Sequence, residues 1–265
     1  MLLMSKKLAA DFLGLARVCG LLTACRWLVF VGRHFPGIVQ EGNLQPADKA
    51  MGEGPFRVRL GRYGASFAVL GEGAMTGIRE MYVRDTYLGG GLLFIPEGGT
   101  VVDLGANMGN FTNLALSCGK TVRVVAVEPS VAMNTAFRRS VGLNAGYLSR
   151  AMLIRAFLGE IPQTVQCAIA QDVNYHGAPW MNEADLIKEG HLAKVDFLKC
   201  DIEGGEFQLL TADSKLLAMT QNIAIEVHAF AGDVNEFIER LRGCGFGIVA
   251  AKYDPDGTAT VLGKR

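Results

Sequence analysis

The chain has 265 residues, and its acidic and basic side chains balance at 26 each. Half of the residues are hydrophobic and the mean hydropathy is +0.24, which is enough apolar material for the core of one large or two small globular domains. The chain has neither a net positive charge nor a run of basic residues, so its composition disfavours nucleic acid as a partner.

Cysteines and histidines are scattered along the chain. No pair of cysteines forms a C-x-x-C motif, and no histidine stands at metal-ligand spacing from another histidine or from a cysteine. This pattern predicts reduced core thiols, a cytoplasmic location and no structural zinc.

The segment from Leu8 to Val31 is strongly apolar. Three charged residues interrupt it: Asp11, Arg17 and Arg26. No uncharged run reaches the roughly 18 residues of a spanning helix, and no clear cleavage site follows. We expect an amphipathic helix or helix pair that packs on the next domain and ends at 35–37. Because basic residues share the segment with Trp27 and Phe30, weak contact with a membrane surface is the alternative.

Three further segments precede the central domain. Residues 40–54 are rich in Gly, Pro and charge and predict a linker, and residues 56–60 and 66–70 alternate like a short hairpin. Residues 78–88 carry Tyr82 and Tyr87 and form either a plain amphipathic helix or a cover over a ligand. We therefore divide the chain into a helical segment and linker (1–54), a hairpin and pre-domain segment (55–95) and a ligand-binding domain (96–265).

Residues 101–112, VVDLGANMGNFT, predict a buried strand, a glycine turn and a helix. Gly105 and Gly109 let the backbone turn tightly and approach a ligand where a Cβ would interfere. A dinucleotide fingerprint would need glycines at positions 107 and 110, where the chain has Asn107 and Asn110. The pattern D-x-G-x-N-x-G that begins at Asp103 instead resembles motif I of class I S-adenosylmethionine (SAM) methyltransferases.

A second apolar strand, residues 122–127, ends in Glu128-Pro129-Ser130. Glu128 follows Gly109 by about 20 residues, the distance at which an acidic side chain accepts the ribose hydroxyls of a bound nucleoside. Ser130 is a typical helix N-cap.

The strand and helix alternation continues beyond Ser130 and favours a doubly wound topology. We expect a helix over residues 130–150 and a strand over 164–170, whose end would face the adenine. Residues 171–183 form a loop with polar and aromatic side chains that are candidates for substrate recognition: Asn174, Tyr175, His176 and Trp180.

Two later strands end in titratable groups. Residues 195–207, VDFLKCDIEGGEF, place Asp201 and Glu203 two apart, on one side of an extended backbone. Residues 222–228, NIAIEVH, place Glu226 and His228 in the same relation, and His228 is the best candidate for a general base. The chain then predicts a helix over 233–242 and a hairpin of residues 245–251 with 258–262 that closes the sheet.

The order of these motifs resembles the FkbM family of SAM-dependent methyltransferases over about residues 56 to 250. Asp201-Ile202-Glu203-Gly204 is the most specific element of the likeness. The resemblance implies an α/β, Rossmann-like class I fold: a mostly parallel, seven-stranded sheet with helices on both faces, preceded here by the helical segment and hairpin. It also implies transfer of a methyl group from SAM to a hydroxyl of a small molecule, sugar or other natural product.

The resemblance also assigns site residues. Asp103, Gly105, Asn107, Gly109 and Glu128 would hold SAM. The cofactor set is completed by neighbouring and later positions: Ala106, Asn110, Pro129, Ser130, Ala168 and Asp201. The acceptor side and the catalytic set would consist of Asp201, Glu203, Glu226 and His228, with His228, Glu203 or Glu226 taking a proton from the acceptor.

Three alternatives remain open from the sequence alone. A nicotinamide-dependent oxidoreductase would use the same strand and turn, although Asn107 and Asn110 weigh against it. A protein that binds SAM without catalysis would share the cofactor motifs. In the third alternative, a divalent metal held by Asp201, Glu203 and His228 would assist the methyl transfer.

Overall fold

The computed structural model describes residues 2–159 and 163–265. Residues 2–50 form a series of helices: α1 (Leu2–Cys19), α2 (Leu21–Arg33), α3 (Phe35–Glu41) and α4 (Gln45–Ala50). An antiparallel hairpin follows, with strands β1 (Phe56–Leu60) and β2 (Ala65–Val69), and confirms the predicted pair. A short helix α5 (Ala74–Gly77) then leads into a π-helical turn at Ile78–Val83.

The remaining chain alternates strands and helices. Its elements are β3 (Thr100–Leu104), α6 (Asn110–Ser117), β4 (Arg123–Val127), α7 (Val131–Gly142), β5 (Ala151–Ile154), β6 (Phe157–Leu158), α8 (Gln163–Gln171), β7 (Trp180–Met181), α9 (Glu183–Glu189), β8 (Val195–Cys200), α10 (Glu206–Leu209), α11 (Lys215–Ala218), β9 (Thr220–Val227), α12 (Val234–Gly243), β10 (Gly247–Tyr253) and β11 (Ala259–Lys264).

Within the described residues, seven strands form the central sheet in the order β10-β11-β9-β8-β3-β4-β5. The five strands from β9 to β5 run parallel, whereas β11 is antiparallel to both β9 and β10. This arrangement confirms the predicted α/β fold and the closing hairpin. The strand order reverses between β3 and β8, and open α/β sheets bind ligands at the carboxyl ends of strands at such a point.

The two faces of the sheet bury separate apolar cores. Adjacent residues of β3 point to opposite faces, so Val101 packs with Phe111 and the N-terminal helices while Val102 packs with Leu186 and Phe237. Every residue of β3 and β8 is buried, as expected for central parallel strands covered on both faces.

The N-terminal region differs from its prediction in two places. Residues 35–37 begin α3 instead of ending the helical region, because Pro36 lies in the first turn, where its missing N–H costs no hydrogen bond. The predicted linker contains α4, whose Asp48 is buried. Trp27 donates its indole N–H to Asp48 Oδ1 (2.8 Å), and Arg79 bridges Asp48 (2.6 Å) and Asp11 (2.9 Å).

Two predicted elements of the central domain are also wrong. The helix after Ser130 ends at Gly142, and residues 151–154 form β5, which takes the edge place beside β4. Residues 164–170, predicted as a strand, lie in helix α8. A short apolar run fits a strand and a buried helix equally well, and here β5 already fills the position in the sheet.

The six cysteines are free, as predicted, but they are not all core residues. Cys200 is buried, whereas Cys25 and Cys167 are exposed and the others lie between these extremes. Among the described helices, none combines the length and apolarity needed to cross a membrane.

Candidate functional site

A cavity of about 320 Å³ opens at the carboxyl ends of the central strands. It lies where the strand order reverses. Its walls come from the glycine turn, the end of β4, the start of α7, the segment after β5, and the turn after β8. The lining residues are Gly105, Asn107, Val127, Glu128, Pro129, Met133, Ala156, Phe157, Leu158, Ile169, Tyr175, Asp201, Ile202 and Glu203.

The glycine turn fits closely against two neighbouring strands. Gly105 has a φ of 72°, and a Cβ at this position would lie 1.7 Å from the carbonyl oxygen of Asp201. The backbone N–H groups of Gly105 and Ala106 both donate to the carbonyl of Val127, each at 3.0 Å. Only glycine therefore satisfies the backbone at position 105.

Glu128 lies at the end of β4 and holds the turn from the other side. Its Oε2 accepts from the backbone N–H of Asn107 and its Oε1 from that of Ser130, both at 2.9 Å. Burial raises the pKa of Glu128, and the two N–H donors act in the opposite direction. The carboxylate faces the cavity and keeps lone pairs that accept further hydrogen bonds.

Several expected cofactor residues lie behind the cavity wall. Asp103 is fully buried; it accepts from the Thr112 hydroxyl (2.7 Å) and lies 3.6 Å from Lys199 Nζ. Gly109, with φ of 83°, stands at the N-cap of α6, where a Cβ would meet Phe137. The other members of this group are Ala106, Asn110 and Ser130, and Ser130 caps α7 by accepting from Met133 N.

Ala168 lies in α8, but its side chain is outside the described part of the chain. Its neighbour Ile169 lines the cavity, as do Phe157 and Tyr175. Trp180 stacks on Phe157 with ring centroids 4.7 Å apart. From the predicted recognition loop, Tyr175 therefore lines the cavity directly, whereas Trp180 stacks behind the lining residue Phe157.

The carboxylates after β8 converge on His228. Its Nε2 lies 3.5 Å from Glu203 Oε2 and 4.0 Å from Asp201 Oδ1. The sequence predicts that alternation along an extended strand places Asp201 and Glu203 on one side, but β8 ends at Cys200 and Glu203 adopts a φ of 54° in the following turn. The turn, and not the strand, brings the two carboxylates together.

Glu206 completes this cluster and was not among the residues predicted from the sequence. It is fully buried at the start of α10, and its Oε1 accepts from the backbone N–H of His228 (2.7 Å) and lies 3.1 Å from Nδ1. Its Oε2 accepts from Gly204 N at 2.9 Å. Glu206 therefore fixes the ring orientation of His228 and leaves Nε2 directed at Asp201 and Glu203. The available signal was an acidic residue directly after Gly204-Gly205.

The crowded negative charge changes the proton affinity of the cluster. Burial lowers the pKa of His228, but the hydrogen bond with Glu206 and the charges of Glu206, Asp201 and Glu203 raise it to about 9. Burial and the charge of Asp201 raise the pKa of Glu226 to about 7 and shift that of Glu203 upward. At neutral pH His228 is consequently a cation, while Glu226 exchanges its proton.

Three more side chains lie against the glycine turn or the acceptor cluster. Tyr87 donates to Asp201 Oδ2 (3.3 Å), so this hydroxyl reaches the cluster, whereas Tyr82 donates to the backbone carbonyl of Asn110 (2.6 Å) behind the glycine turn. Lys199 is buried and donates to the carbonyls of Leu104 (3.1 Å) and Gly105 (2.7 Å). It lies 3.6 Å from Asp201, and the sequence analysis did not single it out.

Asp201, Glu203 and His228 also form a set of potential metal ligands. Their nearest ligand atoms all lie within 4.8 Å of one another. The metal-assisted alternative thus has a defined location beside the cavity, and removal of divalent ions tests it.

Two solved structures illustrate the remote structural likenesses. Precorrin-6y C5,15-methyltransferase from Geobacter metallireducens shares 12% identity, with a TM-score of 0.43, over 69% of this chain and 87% of that one. Aeropyrum pernix fibrillarin with natively bound S-adenosyl-L-methionine shares 16% identity, with a TM-score of 0.37, over 63% of this chain and 66% of that one.

A nearer sequence relative is 31-O-demethyl-FK506 methyltransferase FkbM of Streptomyces tacrolimicus. The two are 30% identical over 130 residues, which cover 48% of this chain and 45% of the relative. The chain therefore matches a little less than half of that protein. The family model of the methyltransferase FkbM domain matches residues 103–248, more than half of this chain. This matched stretch contains the glycine turn, Glu128 and the His228 cluster, and the chain belongs to the FkbM family of SAM-dependent methyltransferases.

Proposed function

We propose that this chain transfers the methyl group of SAM to a hydroxyl group of a small-molecule acceptor. The observation that carries the proposal is that one cavity is lined by Glu128 on one side and by Asp201 and Glu203 on the other. The first side has the chemistry of a nucleoside site, and the second has groups that exchange protons. Family membership favours this activity over the nicotinamide alternative.

The residues of the glycine turn and β4 fit the cofactor of the family. Gly105 lets the turn pack against the carbonyl of Asp201 at the cavity wall, and Glu128 presents carboxylate oxygens to ribose hydroxyls. Apolar and aromatic side chains provide a surface for adenine: Met133, Phe157, Ile169 and Tyr175. In this proposal Asp103, Gly109 and Asn110 shape the turn from behind instead of contacting SAM.

When bound, SAM supplies a methyl group that is already strongly electrophilic, so the protein's main tasks are alignment and removal of one proton. A group that is already protonated does not accept a proton, and the raised pKa of His228 therefore favours Glu226 or Glu203 as the base near neutral pH. The His228 cation then orients the carboxylates and balances their charge. Positioning of the acceptor oxygen contributes much of the rate.

The test is release of S-adenosylhomocysteine from SAM in the presence of hydroxylated acceptors. The panel contains 31-O-demethyl-FK506, the compound named for the relative, together with methyl glycosides and simple macrocyclic alcohols. We expect release that depends on the acceptor, with mass spectrometry showing one added methyl group on oxygen. Matched amine analogues serve as the control, and methylation of the amines alone would contradict transfer to oxygen.

Two further measurements separate the remaining alternatives. Tight SAM binding without turnover on any acceptor would favour a protein that binds SAM without catalysis. Loss of turnover in EDTA, restored by magnesium, would place a divalent ion at Asp201, Glu203 and His228. We expect turnover to resist EDTA, because the His228 cation already neutralises part of the cluster.

A further inference from the structure

Helices α1 to α3 carry an unusual amount of exposed apolar surface. Leu22 is 86% exposed and Leu21 is 64% exposed, and both stand at the start of α2, next to the Gly20 turn that joins it to α1. The other large exposed apolar side chains of these helices are Leu13, Leu28, Val29, Phe35 and Val39. Surfaces of this kind mark interaction sites when their members lie together.

On α2 the exposed and buried residues occupy different faces. Ala24, Trp27 and Val31 are buried and recur at helical spacing. Trp27 is tied to Asp48 by its indole hydrogen bond, which fixes the rotation of the helix. The spacing places a second stripe on the outer side of the same helix: Leu21, Leu22, Cys25, Leu28 and Val29.

The charges near this stripe are almost all positive. Residues 1–40 contain five basic side chains, all exposed: Lys6, Lys7, Arg17, Arg26 and Arg33. Asp11 is the one acidic residue in this stretch of sequence and is buried between Arg79 and Arg84, whereas Glu41 at the end of α3 is exposed. The chain as a whole is neutral, so positive charge is concentrated on the apolar helices.

The basic residues of α2 flank the apolar stripe. The guanidinium groups of Arg26 and Arg33 lie 5.6 Å and 5.9 Å from the centroid of the Phe30 ring. Successive α2 residues turn by about 100°, so Arg26 and Arg33 share one side of the helix, next to the outer leucines. A helix with an apolar stripe and an arginine border matches the interface of a bilayer that has anionic headgroups.

We propose that α1 to α3 bind the surface of an anionic phospholipid bilayer, with Leu21 and Leu22 inserted among the acyl chains and Arg26 and Arg33 at the headgroups. A second copy of this chain is a poorer occupant, because pairing the same face would bring arginines against arginines. The proposal concerns a surface formed by residues 6–39 and does not depend on the proposed function.

The test is co-flotation of the full chain with vesicles. One set contains phosphatidylcholine alone and the other contains phosphatidylcholine with phosphatidylglycerol. We expect binding to the anionic vesicles that weakens in high salt. Leu21→Gln with Leu22→Gln should reduce partitioning at least about tenfold, since two large apolar side chains no longer insert. Arg26→Glu with Arg33→Glu should abolish the preference for anionic lipid.

Matched variants elsewhere control for general surface effects. Phe94→Gln removes an exposed apolar side chain outside α1 to α3, and Lys188→Glu with Lys215→Glu reverses two exposed charges outside these helices. Both should float like the wild type, and circular dichroism and thermal melting should show that all variants are folded. Equal flotation of the leucine, arginine and wild-type proteins would overturn the proposal. The absence of wild-type flotation would also overturn the proposal. This outcome includes the case in which Leu21 and Leu22 instead support a dimer, which analytical ultracentrifugation would show.

Discussion

The carboxylates of the cofactor side and those of the acceptor cluster are held in opposite ways. Glu128 has a backbone N–H donor on each oxygen, and these donors oppose the effect of burial on its pKa. Glu226 lies near other acids, and the charge of Asp201 adds to burial to raise its pKa to about 7. A carboxylate fixed by backbone donors is suited to binding, whereas a carboxylate among other acids is suited to proton exchange.

The strongest test of this contrast is Glu128→Ala. We expect SAM affinity to fall by at least about 100-fold, because charge-assisted hydrogen bonds to the ribose are lost together with the support of Asn107 N. Calorimetry with SAM and S-adenosylhomocysteine measures the effect, and Glu189→Ala, an exposed acid on α9, is the control. Unchanged affinity in Glu128→Ala would remove Glu128 from the cofactor site.

Glu206→Gln tests the orientation of His228. We expect kcat to fall by about 10- to 100-fold with a much smaller change in SAM affinity, because the charge-assisted contact that holds the ring is weakened. The pKa of His228 should also fall, and NMR titration of the ring reports it directly. Glu236→Gln on α12 is the exposed control. A change in kcat without any shift in the titration would indicate a purely structural role.

The pH dependence of turnover distinguishes the two candidate bases. A base acts when deprotonated, so the rate should rise with pH through about 7 if Glu226 takes the proton, and through about 9 if His228 does. We expect the rise near 7. Glu226→Gln should flatten this rise and lower the rate at pH values above 7. A profile that keeps its rise near 7 in Glu226→Gln would exclude Glu226 as the base.

Tyr87→Phe should have the smallest effect. Its hydroxyl donates to Asp201 at 3.3 Å, a long hydrogen bond, so we expect turnover to fall no more than about fivefold. Tyr253→Phe, whose hydroxyl contacts Asn235 on the surface, is the matched control. A loss of SAM affinity equal to that of Glu128→Ala would place Tyr87 on the cofactor side of the contrast.

The cofactor side and the acceptor side of the site differ in how far the sequence predicts them. Gly105 and Glu128 follow from local patterns, a turn that needs glycine and an acid at the end of the next strand, and the structure places both at the cavity. Asp201, Glu203 and His228 are also found from motifs. Their mutual geometry is not, because it depends on the positive φ at Glu203 and on the buried carboxylate of Glu206.

Long-range pairs account for most of what the sequence did not predict. Arg79 joins Asp11 and Asp48, which lie 68 and 31 residues away along the chain, and no local pattern indicates such a partner. The strand expected over 164–170 is wrong for a related reason. Its apolar pattern is ambiguous, and the sheet position is decided by β5.

Lys199 contacts both the cofactor side and the acceptor side of the site and so couples them. Its one ammonium group holds the carbonyls of Leu104 and Gly105 at the glycine turn and faces Asp201 at the acceptor cluster. Coupling between two sites is reciprocal. A change in the ionisation of the cluster therefore alters the affinity for the cofactor, and binding of the cofactor alters that ionisation equilibrium by the same factor. Binding of SAM should accordingly move a fraction of a proton between protein and buffer. Calorimetry in buffers of different ionisation heat measures that fraction, and Lys199→Met should reduce it.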